Sequence, residues 1–223
     1  FEMRYADYPT TMVERIRNNV SLSALRGLTI HLGGLREGKK SVIVVSEGYS
    51  NYVPPQLRNE RAAGGGRIAD ERRNPFAGDD SLEERMMFFE NASILNDFRY
   101  VADTANKNNT SLYMVDPRGL AVFEYDVSLP SVAPQVDGRV LRNLQGTLYT
   151  LADLTDGRAI INRNDVLPGL AQIVRDQSAY YLLGYTSSDA PTDGEFHEIE
   201  VRVARPDVNV RHRRGYYALT EEN

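Results

Sequence analysis

Two apolar runs in this sequence end on side chains able to do chemistry. Val42-Ile43-Val44-Val45 leads into Ser46-Glu47-Gly48, and Leu112-Tyr113-Met114-Val115 leads into Asp116-Pro117-Arg118-Gly119. If both runs are strands of an open parallel sheet, their carboxyl ends lie on the edge where such sheets bind ligands. A hydroxyl and two carboxylates on one edge could hold a hard divalent cation such as Mg²⁺ or Mn²⁺, which takes oxygen ligands. The plainer use of acids at strand ends is to cap turns and helices.

The same residues admit a hydrolytic reading, with Ser46 as nucleophile, Asp116 as the acid and His197 or His212 as the base. Three features count against it. Val44 stands two residues before Ser46, where a tight nucleophile turn needs a small side chain. The segment Tyr49-Ser50-Asn51-Tyr52-Val53-Pro54-Pro55 cannot promptly start the required helix. Both histidines fall in an alternating, half-exposed stretch far from the strand ends.

Other candidates carry less. His31 reads as a partly exposed helix residue. Gly64-Gly65-Gly66 follows no strand and opens no helix, so it is no phosphate loop. The tyrosines at 180, 181, 185, 216 and 217 could form a binding surface, although packing between terminal strands is the simpler expectation. The basic run Arg211-His212-Arg213-Arg214 reads as a solvated strand end.

The elements that must position these residues are legible from periodicity. Thr11-Met12-Val13-Glu14 has capping-box spacing behind Pro9, and predicts a short helix through Val20. Leu22, Leu25, Leu28, Leu32 and Leu35 predict a second helix, ended by Gly33-Gly34 and Gly38. The β-branched core of 41–46 predicts a strand buried on both faces. A long surface loop is expected over 49–80, where Pro54-Pro55, the glycine triplet and Pro75 interrupt any pattern. Ser81-Leu82-Glu83-Glu84 opens a helix expected to reach about Asn108, followed by a strand over 111–115. Residues 120–138 read as irregular. Leu141, Leu144, Leu148 and Leu151 mark a third long helix, stopped at Asp156-Gly157. A short strand over 158–162, a helix capped by Asn164 or Asp165, and a strand over 180–185 follow. Ile199, Val201 and Val203 then alternate with polar residues up to Arg205-Pro206-Asp207, and Val208 and Val210 alternate on the return, which predicts an antiparallel hairpin.

Strands separated by long helices imply a parallel sheet with helices on both faces. The division expected is an α/β unit over 8–177 and a β appendage over 178–219. Because the order opens on helices, at least one further N-terminal strand is expected outside this chain, which begins on Phe1.

Composition narrows the function classes. The chain has 223 residues and no cysteine, which excludes disulfide frameworks and thiol catalysis within it. A net charge of −5 argues against a nucleic-acid partner. No run approaches the roughly 20 apolar residues of a membrane helix, and Phe1-Glu2-Met3-Arg4-Tyr5 does not look like a signal peptide.

Several blocks, in order, resemble bacterial von Willebrand factor A-related domains. They are Arg36-Glu37-Gly38-Lys39-Lys40 with the strand 41–45 and Ser46-Glu47-Gly48; Tyr113-Met114-Val115-Asp116-Pro117-Arg118-Gly119; Thr155-Asp156-Gly157-Arg158-Ala159-Ile160-Ile161-Asn162; Ser178-Ala179-Tyr180-Tyr181-Leu182-Leu183-Gly184-Tyr185; and the ending from Asp193-Gly194 through Arg214-Gly215-Tyr216-Tyr217. The likeness covers most of the chain outside 49–80 and 120–138, and corresponds to the C-terminal portion of such a domain. It implies a Rossmann-like fold that binds protein partners through the carboxyl edge of its sheet, without catalysis. It also implies a metal-ion-dependent adhesion site there, formed by an Asp-x-Ser-x-Ser loop, a Thr and an Asp. In this chain no Asp-x-Ser-x-Ser segment occurs; the nearest text, Asp126-Val127-Ser128-Leu129-Pro130-Ser131, has other spacing. Glu47 stands at the acid position, and Ser21 is the nearest hydroxyl for the Thr. The resulting expectation is a protein-binding or scaffolding module, secreted, periplasmic or on the cell surface. Ser46, Glu47, Ser21 and Asp116 are its candidate ligands for Mg²⁺ or Mn²⁺. The alternative is a structural subunit that self-assembles through its terminal strands.

Overall fold

β-branched residues crowd a helix but fit a pleated strand, and the two runs rich in them pair side by side. In the computed structural model, which describes residues 8–35, 38–58, 80–125, 132–181, 183–185, 192–208 and 210–218, β1 (Lys40–Val45) lies parallel to β2 (Thr110–Val115), in register from Lys40–Thr110 to Val45–Val115. β2 in turn pairs in parallel with the short β3 (Ala159–Ile160). The helices are α1 (Thr10–Leu35), α2 (Asp80–Lys107), α3 (Pro134–Leu154) and α4 (Leu167–Ser178). β4 (Phe196–Glu198) and β5 (Gly215–Tyr217) form a separate antiparallel pair. The mixed α/β class with a helix-flanked parallel sheet is therefore as expected.

Side-chain alternation on β2 divides the core in two. Leu112 and Met114 point into a cluster with Leu22 and Leu25 of α1, Ile94, Phe98 and Val101 of α2, and Leu148 and Leu151 of α3. Tyr113 and Val115 point the other way, to Ile160 and to Ile173 of α4. Every residue of β2 is buried, and burying each large apolar side chain contributes roughly 1.5–3 kcal/mol.

The structure corrects several local expectations. The two predicted N-terminal helices are one continuous α1, because no breaker lies between Val20 and Leu22. β1 is not buried on both faces. Among the described residues it is an edge strand of the sheet, and Ile43 and Val45 are 50% and 65% exposed. The start of the predicted surface loop is core: Tyr49, Asn51, Tyr52 and Val53 are buried, and the Tyr49 ring meets Phe98 edge-on at 5.7 Å. Residues 59–79, and with them most of that loop, lie outside the described residues, as do Asp126–Ser131. α3 begins at Pro134, inside the stretch read as irregular, because proline suits the first helical turn. No strand forms over the described part of 180–185, where Tyr180, Tyr181, Leu183 and Tyr185 are exposed. The terminal hairpin exists and folds about Pro206-Asp207, with Asp207 at φ 59°, but its paired residues are 196–198 and 215–217, not the alternating positions nearer the turn.

Candidate functional site

The carboxyl edge of the sheet is organised by Arg118. Asp116 ends β2 with its amide bonded to the Ile160 carbonyl at 3.0 Å, and its carboxylate is fully buried. A carboxylate removed from water needs a cation and donors. Pro117 and Gly119, which has φ 69°, turn the chain so that Arg118 folds back onto it. Arg118 Nε and Nη2 donate to the two Asp116 oxygens at 2.9 and 2.8 Å, and the Arg118 amide donates to Oδ1 at 3.0 Å. Nη2 also reaches the Glu47 carbonyl at 2.7 Å, and Nη1 pairs with Glu124. One guanidinium thus ties the ends of β1 and β2 to the following loop.

That loop, residues 117–125, is pinned at further points. The Leu120 amide donates to Asn164 Oδ1 at 3.0 Å, past the end of β3. The amides of Glu124 and Tyr125 donate to Asp137 Oδ1, a buried carboxylate in the first turn of α3, where the helix dipole favours an anion. Burial pushes the Glu124 carboxyl above its ordinary value, with Glu47 and Asp137 adding to the rise and the Arg118 charge opposing it. Between the anchors, Leu120, Val122 and Phe123 are 61%, 71% and 53% exposed. On the same edge, Gln145 of α3 and Asn162 after β3 exchange amide hydrogen bonds at 2.8 and 3.3 Å.

The residues expected to act together are distributed as follows. Ser46 Oγ accepts the Gly48 amide at 3.1 Å, in a turn that closes over α3. Glu47 is exposed and contributes its backbone carbonyl to Arg118. Ser21, on α1, has its hydroxyl 3.3 Å from that of Tyr49. Asp116 is committed to Arg118, so a divalent cation bound to it would have to displace that guanidinium. Among the described residues, no group of three or more His, Asp or Glu side chains could hold a metal ion.

The Ser46, Asp116 and histidine set is not assembled. His197 Nε2 lies 3.0 Å from Asp193, its ring stacked on Tyr216, and His212 Nδ1 meets the Arg213 carbonyl. Both belong to the appendage, which docks at the amino ends of the strands, one strand length or roughly 20 Å from Ser46. His31 is exposed on α1.

Sequence reasoning missed Arg118, Glu124, Asp137 and Asn164. An arginine two residues beyond a strand-end acid, between Pro117 and Gly119, was the local signal for the first. Glu124, six residues on in the same loop, has none, and neither do Asp137 and Asn164, which are brought in from other elements.

Fold and edge together define a mixed α/β protein whose three-stranded parallel sheet carries an arginine-tied loop at its carboxyl end. No protein-family model matches the chain, and neither a curated protein nor a solved structure matches it. Among the described residues, no helix is long and apolar enough to cross a membrane.

Proposed function

We propose that this chain is a non-enzymatic protein-binding module of the von Willebrand factor A type, docking its partner through the loop 117–125. One observation carries the reading: Leu120, Val122 and Phe123 are held out to solvent by a backbone fixed at Arg118, Leu120, Glu124 and Tyr125. Clustered exposed apolar side chains mark interaction sites, and a loop already ordered loses little entropy on binding. The resemblance supports the same edge.

The test is a photo-crosslinking amino acid at position 123, with position 30 of α1, also exposed and apolar, as the control. The expected result is a discrete adduct from 123 and none from 30. Excess unmodified chain should compete it away, whereas chain carrying Val122→Asp and Phe123→Asp should compete about 30-fold more weakly or worse, as for a binding hot spot. Equal adducts at both positions, or no loss of competition in the variant, would sink the proposal.

A second reading is a self-assembling structural subunit, and the edge of β1 is the observation that favours it. The amides of Lys40 and Ser46 bond to Asn109 and Val115 carbonyls, so the even-numbered residues of β1 face β2. Ser41, Ile43 and Val45 turn their peptide groups to the opposite side, where no described strand pairs. A regular apolar edge without proline or bulge invites strand addition. Antiparallel pairing of two copies about Ile43 sets the two Ile43 Cα atoms about 5.5 Å apart, within disulfide range. The two Val45 Cα atoms would be roughly 13 Å apart. Because the chain has no cysteine, Ile43→Cys should oxidise to a covalent dimer and Val45→Cys should not. Equal yields, or none, would reject this pairing.

A further inference from the structure

We propose that the C-terminal arm, of which residues 179–181, 183–185, 192–208 and 210–218 are described, is an ionic strap that salt releases from the amino edge of the sheet while the α/β unit stays folded. Among the described residues, none of the three apolar core clusters takes a residue from beyond Ile173, and Ala218 is the one buried apolar residue of the arm. The arm is instead held by polar groups spaced along one return strand. Arg211 donates to Asp176 of α4 at 2.6 Å, and to the carbonyls of Gly157 at 2.7 Å and Asp156 at 3.2 Å. Asp176 is shared with Arg158, and the Asp156 carboxylate with Lys39. Arg214 pairs with Asp153 near the end of α3 at 2.9 Å. At the start of the arm, Tyr180 Oη accepts the Lys39 amide at 3.3 Å. The apolar contribution is a shallow crevice in which Phe196 and Tyr216 face Ala102 and Leu154.

The third arginine opposes docking. Arg213 is partly buried and finds Asn109 Oδ1 at 3.3 Å; the Asp156 carboxylate acts on it only from beyond ion-pair range, and no carboxylate among the described residues pairs with it directly. Taking a guanidinium out of water without a paired anion is unfavourable. Arg213 thus offsets part of what the other two contribute; of the holding pairs, Arg214–Asp153, with side chains 68% and 52% exposed, is the more open to salt, while Arg211–Asp176, at 31% and 13%, is screened less.

The hairpin itself reports docking. An isolated two-stranded hairpin is marginal in water, so the bonds from the Ile199 amide to the Arg214 carbonyl and from the Ala218 amide to the Glu195 carbonyl should open when the arm leaves. Amide exchange of the 223-residue chain would be followed by mass spectrometry at about 20 mM and about 500 mM NaCl, across which the Debye length falls to a few ångströms. The expected result is about tenfold faster exchange at 199 and 218 in high salt, with the β2 amides unchanged. Arg211→Gln should produce the same release at low salt. Arg213→Leu should slow exchange, because it removes the desolvated charge and keeps an apolar stem. The proposal is overturned if salt leaves hairpin exchange unaltered, if β2 speeds up in step with the hairpin, or if Arg213→Leu accelerates exchange as Arg211→Gln does.

Discussion

Arg118→Leu should lower the free energy of unfolding by about 3–5 kcal/mol, the usual result of removing one partner from a buried ion pair. Urea titration followed by circular dichroism measures it. The effect is large because the buried Asp116 carboxylate would keep only the amide of residue 118, having lost two charged donors. The Glu47 carbonyl and the Glu124 carboxylate would lose theirs as well. Arg118→Lys keeps the charge but not the fork that serves Asp116, Glu124 and Glu47 at once, and should fall between wild type and the leucine variant. If leucine costs no more than lysine, Asp116 has another means of stabilisation and the tie between β1, β2 and the loop is weaker than its geometry indicates. The proposed binding surface depends on that tie, so Arg118→Lys should also weaken partner capture through position 123 while the protein remains folded.

The second large effect is expected at Gly48, where β1 gives way to the turn that carries Ser46 and Glu47. Its φ is 111°, which side-chain-bearing residues rarely adopt. A Cβ added there would lie 2.4 Å from the Leu144 carbonyl oxygen and 2.7 Å from its carbon. Those are backbone atoms in the middle of α3, which cannot move without breaking the helix. The next residue, Tyr49, is anchored in turn by its amide on Thr147 Oγ1 at 3.0 Å. Strain and overlap together put Gly48→Ala at roughly 2–6 kcal/mol. Gly146→Ala is the comparison: it sits on the same helix with open space around it and should be neutral or stabilising. A calorimetric melting temperature for each settles the point. Near-equal values would mean that the turn can rearrange away from α3.

Much of this architecture was legible in the residues. The four β-branched residues 42–45 and the run 111–115 could hardly be anything but strands, the capping signal at Ser81 placed α2 to within a residue at each end, and the leucine spacings located the bodies of α3 and α4. Gly33-Gly34, expected to stop the first helical stretch, lie inside α1, which runs to Leu35; Gly38, with φ 93°, precedes β1. The hairpin turn at Pro206-Asp207 was visible as alternation on either side. Periodicity failed where burial depended on a neighbour. Nothing in the text of Val42 to Val45 tells whether a further strand or helix covers Ile43 and Val45, so an edge strand read as a central one. Likewise Tyr49 to Val53, running into Pro54-Pro55, read as surface loop, and Tyr49, Asn51, Tyr52 and Val53 proved to be buried.

The candidate site divides the same way. By itself the sequence determined that Ser46-Glu47 and Asp116 terminate strands, because local chemistry and the β-branched pattern specify where each strand stops; that the two strands are neighbours came from the structure. Only the tertiary structure decided what those groups do. A carboxylate without water takes the strongest donor within reach, and the fold places Arg118 there, then adds Glu124 from the loop and sets Asp137 of α3 behind it. Which cation answers a buried charge is a question of three-dimensional proximity, and spacing along the chain carries no information about contacts such as 47 with 118 or 124 with 137.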